Sequence, residues 1–394
     1  MKKIIFVCVL LLIAGCTSYK KQSPIQPPLT SKNTIRVGVP GTLSGDLAPY
    51  GICVVRGCEL AAEDINSKGG IIGKKLEIIP EDDQCRPELA VKAAVNLVKN
   101  DAQVIIGHLC SGSTIAANRI YKNAGLMVIS PTSCNDDLTL SGKHPNFFRT
   151  IGYDDSQAKV MASFAKNNLN ARRIALIHDK GDYGAGIIKR VRKNLIKSGG
   201  MEIVLFEGID RNHRDYSKIV EKIKKSKADL TVWGGYHLDG SKIIGIIKEQ
   251  GVSTKFFGCD GILNKGFINM AGKDSEGVYS TGPINTFNKN HLYNELILKH
   301  QKKYGEDPGV FIGNAYAALQ MFAIAANKAG SLDLEELKKE MKSTFIETPI
   351  GEIKFDNNGD FLYREDGYTY KNGFGVFIVK NQKFSIVRND YTNL

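Results

Sequence analysis

The chain has 394 residues, 42% hydrophobic and 24% charged, and a formal charge of +12. An excess of Lys and Arg raises nucleic-acid binding as a function. The lysines are instead spread over amphipathic stretches such as Lys189 to Lys197 and Lys218 to Lys227, without interleaved aromatics. A solvated basic surface is expected, with no nucleic acid as partner and some attraction to an anionic membrane surface.

Lys2 and Lys3 precede an uninterrupted small-or-apolar run from Ile4 to Ala14. A membrane-spanning helix needs about 20 residues, so this run is too short. A basic start, a short apolar core and a small-residue exit predict a secretory signal over 1–15. Its exit, Leu12-Ile13-Ala14-Gly15-Cys16, resembles the bacterial lipobox. That resemblance implies lipidation of Cys16 and an extracytoplasmic chain, periplasmic or at the cell surface, held to the membrane by lipid alone. Removing the signal takes away two lysines and leaves a charge of +10. Residues 16–33 contain three prolines and few large apolar side chains, which predicts a tether. About 360 residues follow, enough for two lobes of ordinary size.

From Thr34 onward, short β-rich runs alternate with amphipathic helical stretches. Strands are predicted at Ile35–Pro40, Leu76–Pro80, Val104–His108 and Met127–Ser130. They resume at Ile174–His178, Ile203–Glu207, Leu230–Gly234, Lys255–Cys259 and Gly277–Ser280. The intervening helices are Val54–Ser67, Pro87–Asn100, Thr114–Asn123, Ser156–Asn168, Ala185–Ser198, Tyr216–Ser226 and Gly240–Gln250. Helices at His291–Tyr304, Ile312–Ala329 and Leu334–Ser343 come next. Two strand pairs close the chain, Gly351–Phe355 with Asp360–Tyr363 and Val376–Lys380 with Lys383–Val387. Alternation of this kind predicts α/β architecture with parallel sheets covered on both faces. Because the pattern occurs twice, two Rossmann-like lobes are expected, with a ligand cleft between them.

Ligands of open parallel sheets sit at the carboxyl ends of the strands. After Val104–His108, Ser111 or Ser113 could cap the next helix, whose free N–H groups suit a carboxylate. Thr132, Ser133 and Cys134 follow Met127–Ser130 in a polar loop. Tyr236 follows Leu230–Gly234, and Asp260 follows Lys255–Cys259. A lone acid at a strand end could neutralise a ligand ammonium or cap a turn. Tyr50 adds an aromatic after the first strand. Hydroxyls, helix N–H groups, one carboxylate and aromatics together suit a zwitterion with an apolar side chain.

At these residues the chain resembles the leucine/isoleucine/valine-binding proteins, which have the type I periplasmic-binding fold. The resemblance rests on GTLSGDLAPYG at 41–51, AAEDINSKGGIIGKKL at 61–76, EDDQCRPELAV at 81–91 and VIIGHLCSGST at 104–114. It continues through SPTSCNDDLT at 130–139, RTIGYDDSQ at 149–157, IALIHDKGDYGAG at 174–186, WGGYH at 233–237 and GCDGILN at 258–264. DPGVFIGNAYAAL at 307–319 and GEIKFDNNGD at 351–360 extend it almost to the end. It implies a monomer of two lobes joined by three crossovers, 34–153 plus 284–363 and 154–283 plus 364–394. It further implies capture of a small, branched-chain amino acid by lobe closure and delivery to an ABC transporter permease.

Residue by residue, Ser111 matches the serine that holds the α-carboxylate. Thr132, Ser133 and Cys134 fall in the loop that meets the charged groups of the ligand. Tyr183, Tyr236 and Asp260 match second-lobe residues of the cleft, Asp260 at the ammonium-binding acid. Tyr50 and Phe311 fall at aromatic positions of the side-chain pocket. Cys85 and Cys110 match a family disulfide; closing about 25 residues contributes about 3 kcal/mol in the chain-entropy model. Two positions depart from the family pattern: Cys134 replaces Thr, and Asp260 replaces Glu. A thiol bonds more weakly than a hydroxyl, and Asp is one methylene shorter.

Of eight cysteines, Cys8 lies in the signal and Cys16 at its exit. Cys53, Cys58 and Cys259 have no assigned partner; buried thiols are expected, with a Cys53–Cys134 bridge as the alternative. No metal or other cofactor is expected, since Cys53 and Cys58 lack a complementary pair at ligand spacing. There is no G-x-S-x-G, H-E-x-x-H, G-x-x-x-x-G-K or G-x-G-x-x-G motif. His108, His178 and His237 sit at or after strand ends without ligand spacing, and Asp154 and Asp155 are adjacent acids that point apart. These features predict a binding protein rather than an enzyme. An amino-acid or amide sensor coupled to a signalling partner is the alternative reading.

Overall fold

A computed structural model describes residues 33–211, 215–283, 290–365, 368–370 and 373–388. The predicted signal, Cys16 and the tether lie outside the described residues. The first half runs β1 (Thr34–Gly41), α1 (Ala48–Ser67), β2 (Lys75–Asp82), α2 (Pro87–Lys99), β3 (Ala102–Ile106), α3 (Ser111–Asn123), β4 (Met127–Ser130), α4 (Asp137–Leu140) and β5 (Phe147–Arg149). Its five strands form one all-parallel sheet in the order β2-β1-β3-β4-β5.

The second half runs α5 (Asp154–Asn167), β6 (Arg173–His178), α6 (Asp182–Ser198), β7 (Glu202–Gly208), α7 (Ser217–Ser226), β8 (Leu230–Gly234), α8 (His237–Glu249), β9 (Lys255–Gly258), α9 (Lys265–Ala271) and β10 (Tyr279–Pro283). Its strands repeat the same topology, β7-β6-β8-β9-β10, all parallel. Then come α10 (His291–Tyr304), α11 (Ile312–Ala329) and α12 (Leu334–Ser343). A separate antiparallel sheet follows, made of β11 (Ile346–Thr348), β12 (Gly351–Phe355), β13 (Phe361–Glu365) and β14 (Tyr368–Tyr370). Finally β15 (Phe374–Lys380) and β16 (Lys383–Arg388) extend the second parallel sheet as antiparallel strands beyond β10.

Two-faced burial explains the apolar strand composition. Every residue of β4 and β8 is buried, as are Val104, Ile105 and Ile106 of β3. α11 packs against α1 at Gly57, where a Cβ would stand 2.8 Å from that of Ala315. Glycine is required there because the helix backbones approach so closely.

Several helices begin earlier than their apolar periodicity predicts. α1 starts at Ala48 rather than Val54, α3 at Ser111 rather than Thr114, α6 at Asp182 rather than Ala185, and α8 at His237 rather than Gly240. Their first turns carry Tyr50, Ser111, Tyr183 and His237, which face the space between the sheets and so break the apolar stripe. β10 is displaced the other way, beginning at Tyr279, because Gly277 has φ of 78° and forms a turn. β5, α4, α9 and β11 are too short to show a period.

Arg149, at the end of β5, is fully buried and ties the first lobe together. Its Nε lies 2.6 Å from Asp360 Oδ1. One terminal nitrogen donates to the carbonyls of Ser133 (3.3 Å) and Asn135 (2.9 Å), the other to the Thr139 hydroxyl. Replacing one partner of a buried ion pair leaves the other charge uncompensated. Arg149→Leu should therefore cost about 3–5 kcal/mol, read as a lowered midpoint in urea unfolding; an unchanged midpoint would contradict this role.

Candidate functional site

Both parallel sheets have the order in which the switch point falls between the first and third strands, and their carboxyl ends face one another. Between them lies a cavity with about 360 Å³ of space unfilled by protein atoms, part of it open to solvent. Tyr50, Leu109, Ser111, Thr132 and Phe311 line it from the first lobe; Tyr183, Tyr236, Asp260 and Gly261 line it from the second.

The first-lobe wall is polar at one end. Ser111 is the first residue of α3, after Cys110 in extended conformation. The opening turn of a helix has N–H groups without intrahelical partners, which favour an anion. Ser111 Oγ accepts from the Asn135 amide at 3.3 Å. Thr132 Oγ1 donates to the Leu109 carbonyl at 2.8 Å. The carbonyl of His108 collects the hydroxyls of Ser130 (2.9 Å), Thr132 (3.3 Å) and Ser133 (3.1 Å), which pins the β3 and β4 loops together.

The second-lobe wall carries one acid. Asp260 opens a single 3₁₀ turn after β9 and is 3% exposed. Its Oδ1 accepts from Gln157 Nε2 at 2.9 Å and from the Tyr183 hydroxyl. Burial pushes the carboxyl above its ordinary range, while the Gln157 and Tyr183 hydrogen bonds pull the other way. The remaining surface is largely aromatic, completed by Leu109 and Gly261. The Tyr50 ring lies 6.1 Å from Phe311, and Tyr183 lies 5.4 Å from Tyr236.

The lobes touch around this cavity. The Tyr50 hydroxyl donates to the Gly261 carbonyl at 2.9 Å and stands 3.3 Å from His237 Nδ1. Tyr236 donates its hydroxyl to Cys110 Sγ at 3.3 Å. Arg190 and Asp136 form a 2.7 Å ion pair across the cleft. Cys85 and Cys110 are disulfide-bonded, with Cα atoms 5.5 Å apart, so the bridge fixes the residue preceding Ser111.

Seven of the nine sequence-predicted ligand residues therefore share one cavity: Tyr50, Ser111, Thr132, Tyr183, Tyr236, Asp260 and Phe311. Ser133 and Cys134 lie behind its wall. Ser133 Oγ meets Thr114 Oγ1 at 2.7 Å, and Cys134 Sγ turns back to the Thr132 carbonyl at 3.2 Å. Cys53, Cys58, Cys134 and Cys259 are buried free thiols, and burial pushes those of Cys53 and Cys259 up to about 12. His108 is buried, 2.6 Å from Asp83 Oδ2 and 3.0 Å from the Tyr121 hydroxyl. Asp154 is buried, whereas Asp155 turns to Lys159 at 3.1 Å. Leu109, Gly261 and the supporting Gln157 were not singled out from sequence. Leu109 stands in a loop already marked by its strand end; Gln157 closes the RTIGYDDSQ stretch but follows no strand end that would point to the cavity.

A family model described as periplasmic binding protein matches residues 34–366. The chain belongs to this family, among its Leu/Ile/Val-binding proteins, and its class of function is solute binding. It is 35% identical to the Leu/Ile/Val-binding protein of Escherichia coli K12 over 93% of this chain and 95% of that protein. It is 32% identical to the leucine-, isoleucine-, valine-, threonine- and alanine-binding protein of Pseudomonas aeruginosa over 88% of this chain and 90% of that one. Its fold matches that of the branched-chain amino acid transporter substrate-binding protein of Streptococcus pneumoniae in complex with isoleucine. The TM-score is 0.78 at 25% identity, over 91% of this chain and all of that one.

Tyr183→Phe should remove a donor from Asp260 and raise the Asp260 pKa further. The carboxyl titration followed by NMR would check this, and a downward movement would contradict it.

Proposed function

We propose that the chain captures a small aliphatic α-amino acid, of the branched-chain class, between its two lobes and hands it to the permease of an ABC importer. One observation carries this reading. A single buried carboxylate, Asp260, shares a largely aromatic cavity with Ser111 at the opening turn of α3. That arrangement offers an anion for an ammonium, helix N–H groups and hydroxyls for a carboxylate, and aromatic walls for an aliphatic side chain. In this reading Thr132 holds the carboxylate loop, and Tyr50, Tyr236 and Phe311 enclose the side chain. The named ligands of the Escherichia coli and Pseudomonas aeruginosa relatives support the same class.

The signal-like start and Cys16 extend the proposal to an exported monomer, tethered to the membrane by lipid. No helix among the described residues is long and apolar enough to cross a membrane. The lobes are proposed to divide at 153/154 and 283/284; a third division at 363/364 would cut β13, whose residues 363–365 pair with β14, so we propose it between β14 and β15 instead.

Mass action makes the ligand raise the melting temperature: ligand at a hundred times its Kd adds about 2.7 kcal/mol. In a thermal-shift screen of the twenty amino acids, leucine, isoleucine and valine should give the largest upward shifts. No shift with any α-amino acid would contradict the zwitterion reading. Asp260→Ala should abolish binding, measured by calorimetry, while the ligand-free chain stays folded.

Binding should also depend on pH. The ligand ammonium requires an ionised Asp260, whose pKa is raised in the free chain. Affinity should therefore decline as pH falls through that raised pKa, earlier than for an exposed aspartate. Calorimetric titrations between about pH 7 and pH 4 would check this; an affinity that rises on acidification would contradict it.

A further inference from the structure

Arg211 lies in the connection after β7 and sits against the cavity wall. Its guanidinium carbon is 4.7 Å from the centroid of the Tyr236 ring. Nε stands 3.5 Å from Oδ2 of Asp179, a buried carboxylate at the end of β6. Its two terminal nitrogens approach Cys85 Sγ, at 3.7 and 3.9 Å. Tyr236, beneath the guanidinium, donates to Cys110 Sγ of the same disulfide at 3.3 Å, and its own carbonyl accepts from Trp233 Nε1 at 3.2 Å.

Arg211, Asp179, Tyr236 and Trp233 belong to the second lobe, whereas Cys85 and Cys110 belong to the first. The second lobe thus presents a planar cation stacked on an aromatic ring, and both rest on the disulfide of the first. These contacts cross from one lobe to the other. The same disulfide precedes Ser111, and the same ring lines the cavity. We infer that Arg211 is a positioning residue that latches the closed lobes, holding Tyr236 against the Cys85–Cys110 disulfide and slowing ligand escape.

The chemistry requires arginine. A lysine would keep the charge toward Asp179 but lose the flat face that covers Tyr236 while its edge reaches the sulfur. Cation–π contacts span roughly a three- to thirtyfold change in an equilibrium. A latch formed only on closure changes the rate of escape, whereas encounter with the open cleft is unaffected.

The inference rests on the proposed amino-acid site, and the test separates the two. Stopped-flow binding of L-isoleucine is compared for wild type, Arg211→Ala and Arg211→Lys, each also in a Cys85→Ser, Cys110→Ser background. Arg211→Ala should release isoleucine about three to thirty times faster, with association unchanged; Arg211→Lys, which keeps a charge toward Asp179, should leave the ligand-free melting temperature unchanged. Its release rate should fall between. In the serine background the effect of Arg211→Ala should shrink, because its first-lobe partner is gone. Should the serine pair not fold, the dissociation rates of Arg211→Ala and Arg211→Lys in the disulfide-bonded chain decide the inference. Isoleucine binding with an unaltered dissociation rate in Arg211→Ala overturns the latch alone. A lowered ligand-free melting temperature without faster release does the same, since it marks a purely structural role. No isoleucine binding by wild type contradicts the proposed function and removes the latch with it.

Discussion

A carboxylate set into an aromatic wall is the constraint around which the rest of the cleft is arranged. Asp260 is nearly without solvent, and burial disfavours its charged form. Two donors, Gln157 and Tyr183, act against that penalty by bonding the same oxygen. Tyr183 must then stand at the start of α6 and Gln157 on α5, which fixes how both helices meet β9. A cationic ligand group supplies what the two neutral donors do not, a full opposite charge. The acid's raised pKa follows first from its burial in this wall.

The facing lobe meets this demand with rigidity rather than charge. The β3 and β4 loops are tied by three hydroxyls converging on the His108 carbonyl, and Arg149 clamps the loop behind them. The Cys85–Cys110 bridge anchors the residue preceding Ser111. A site for a small zwitterion gains little from mobile polar groups, because each must be ordered when the ligand arrives. Here the ordering is done by the fold, and the second lobe contributes Tyr183, Tyr236 and Asp260 to the same cavity.

The alternation of strand and helix made both sheets legible in the sequence, because doubly buried strands such as β4 and β8 are continuous apolar runs. The strand-end rule then directed attention to Ser111, Thr132, Tyr236 and Asp260. The first turns of α1, α3, α6 and α8 escaped periodicity for the reason that makes them useful: they present polar or aromatic groups to the cleft. Ser133 and Cys134 show the opposite limit. Small polar residues in a site loop look alike in sequence, and only the path of the backbone decides which side chain faces the cavity. Gln157 and Arg211 lay beyond sequence reasoning, since each acts through a partner more than fifty residues away.

The repeated topology gives closure its meaning. Each sheet brings its own switch point to the same cavity, so in the proposed function neither lobe alone meets both ends of the amino acid. The most direct test of this account is a crystal structure of the chain grown with L-isoleucine. The account predicts the ammonium within hydrogen-bond distance of Asp260 and the carboxylate at Ser111 and the opening turn of α3. Isoleucine bound without contact to Asp260, or with its ends reversed, would contradict it.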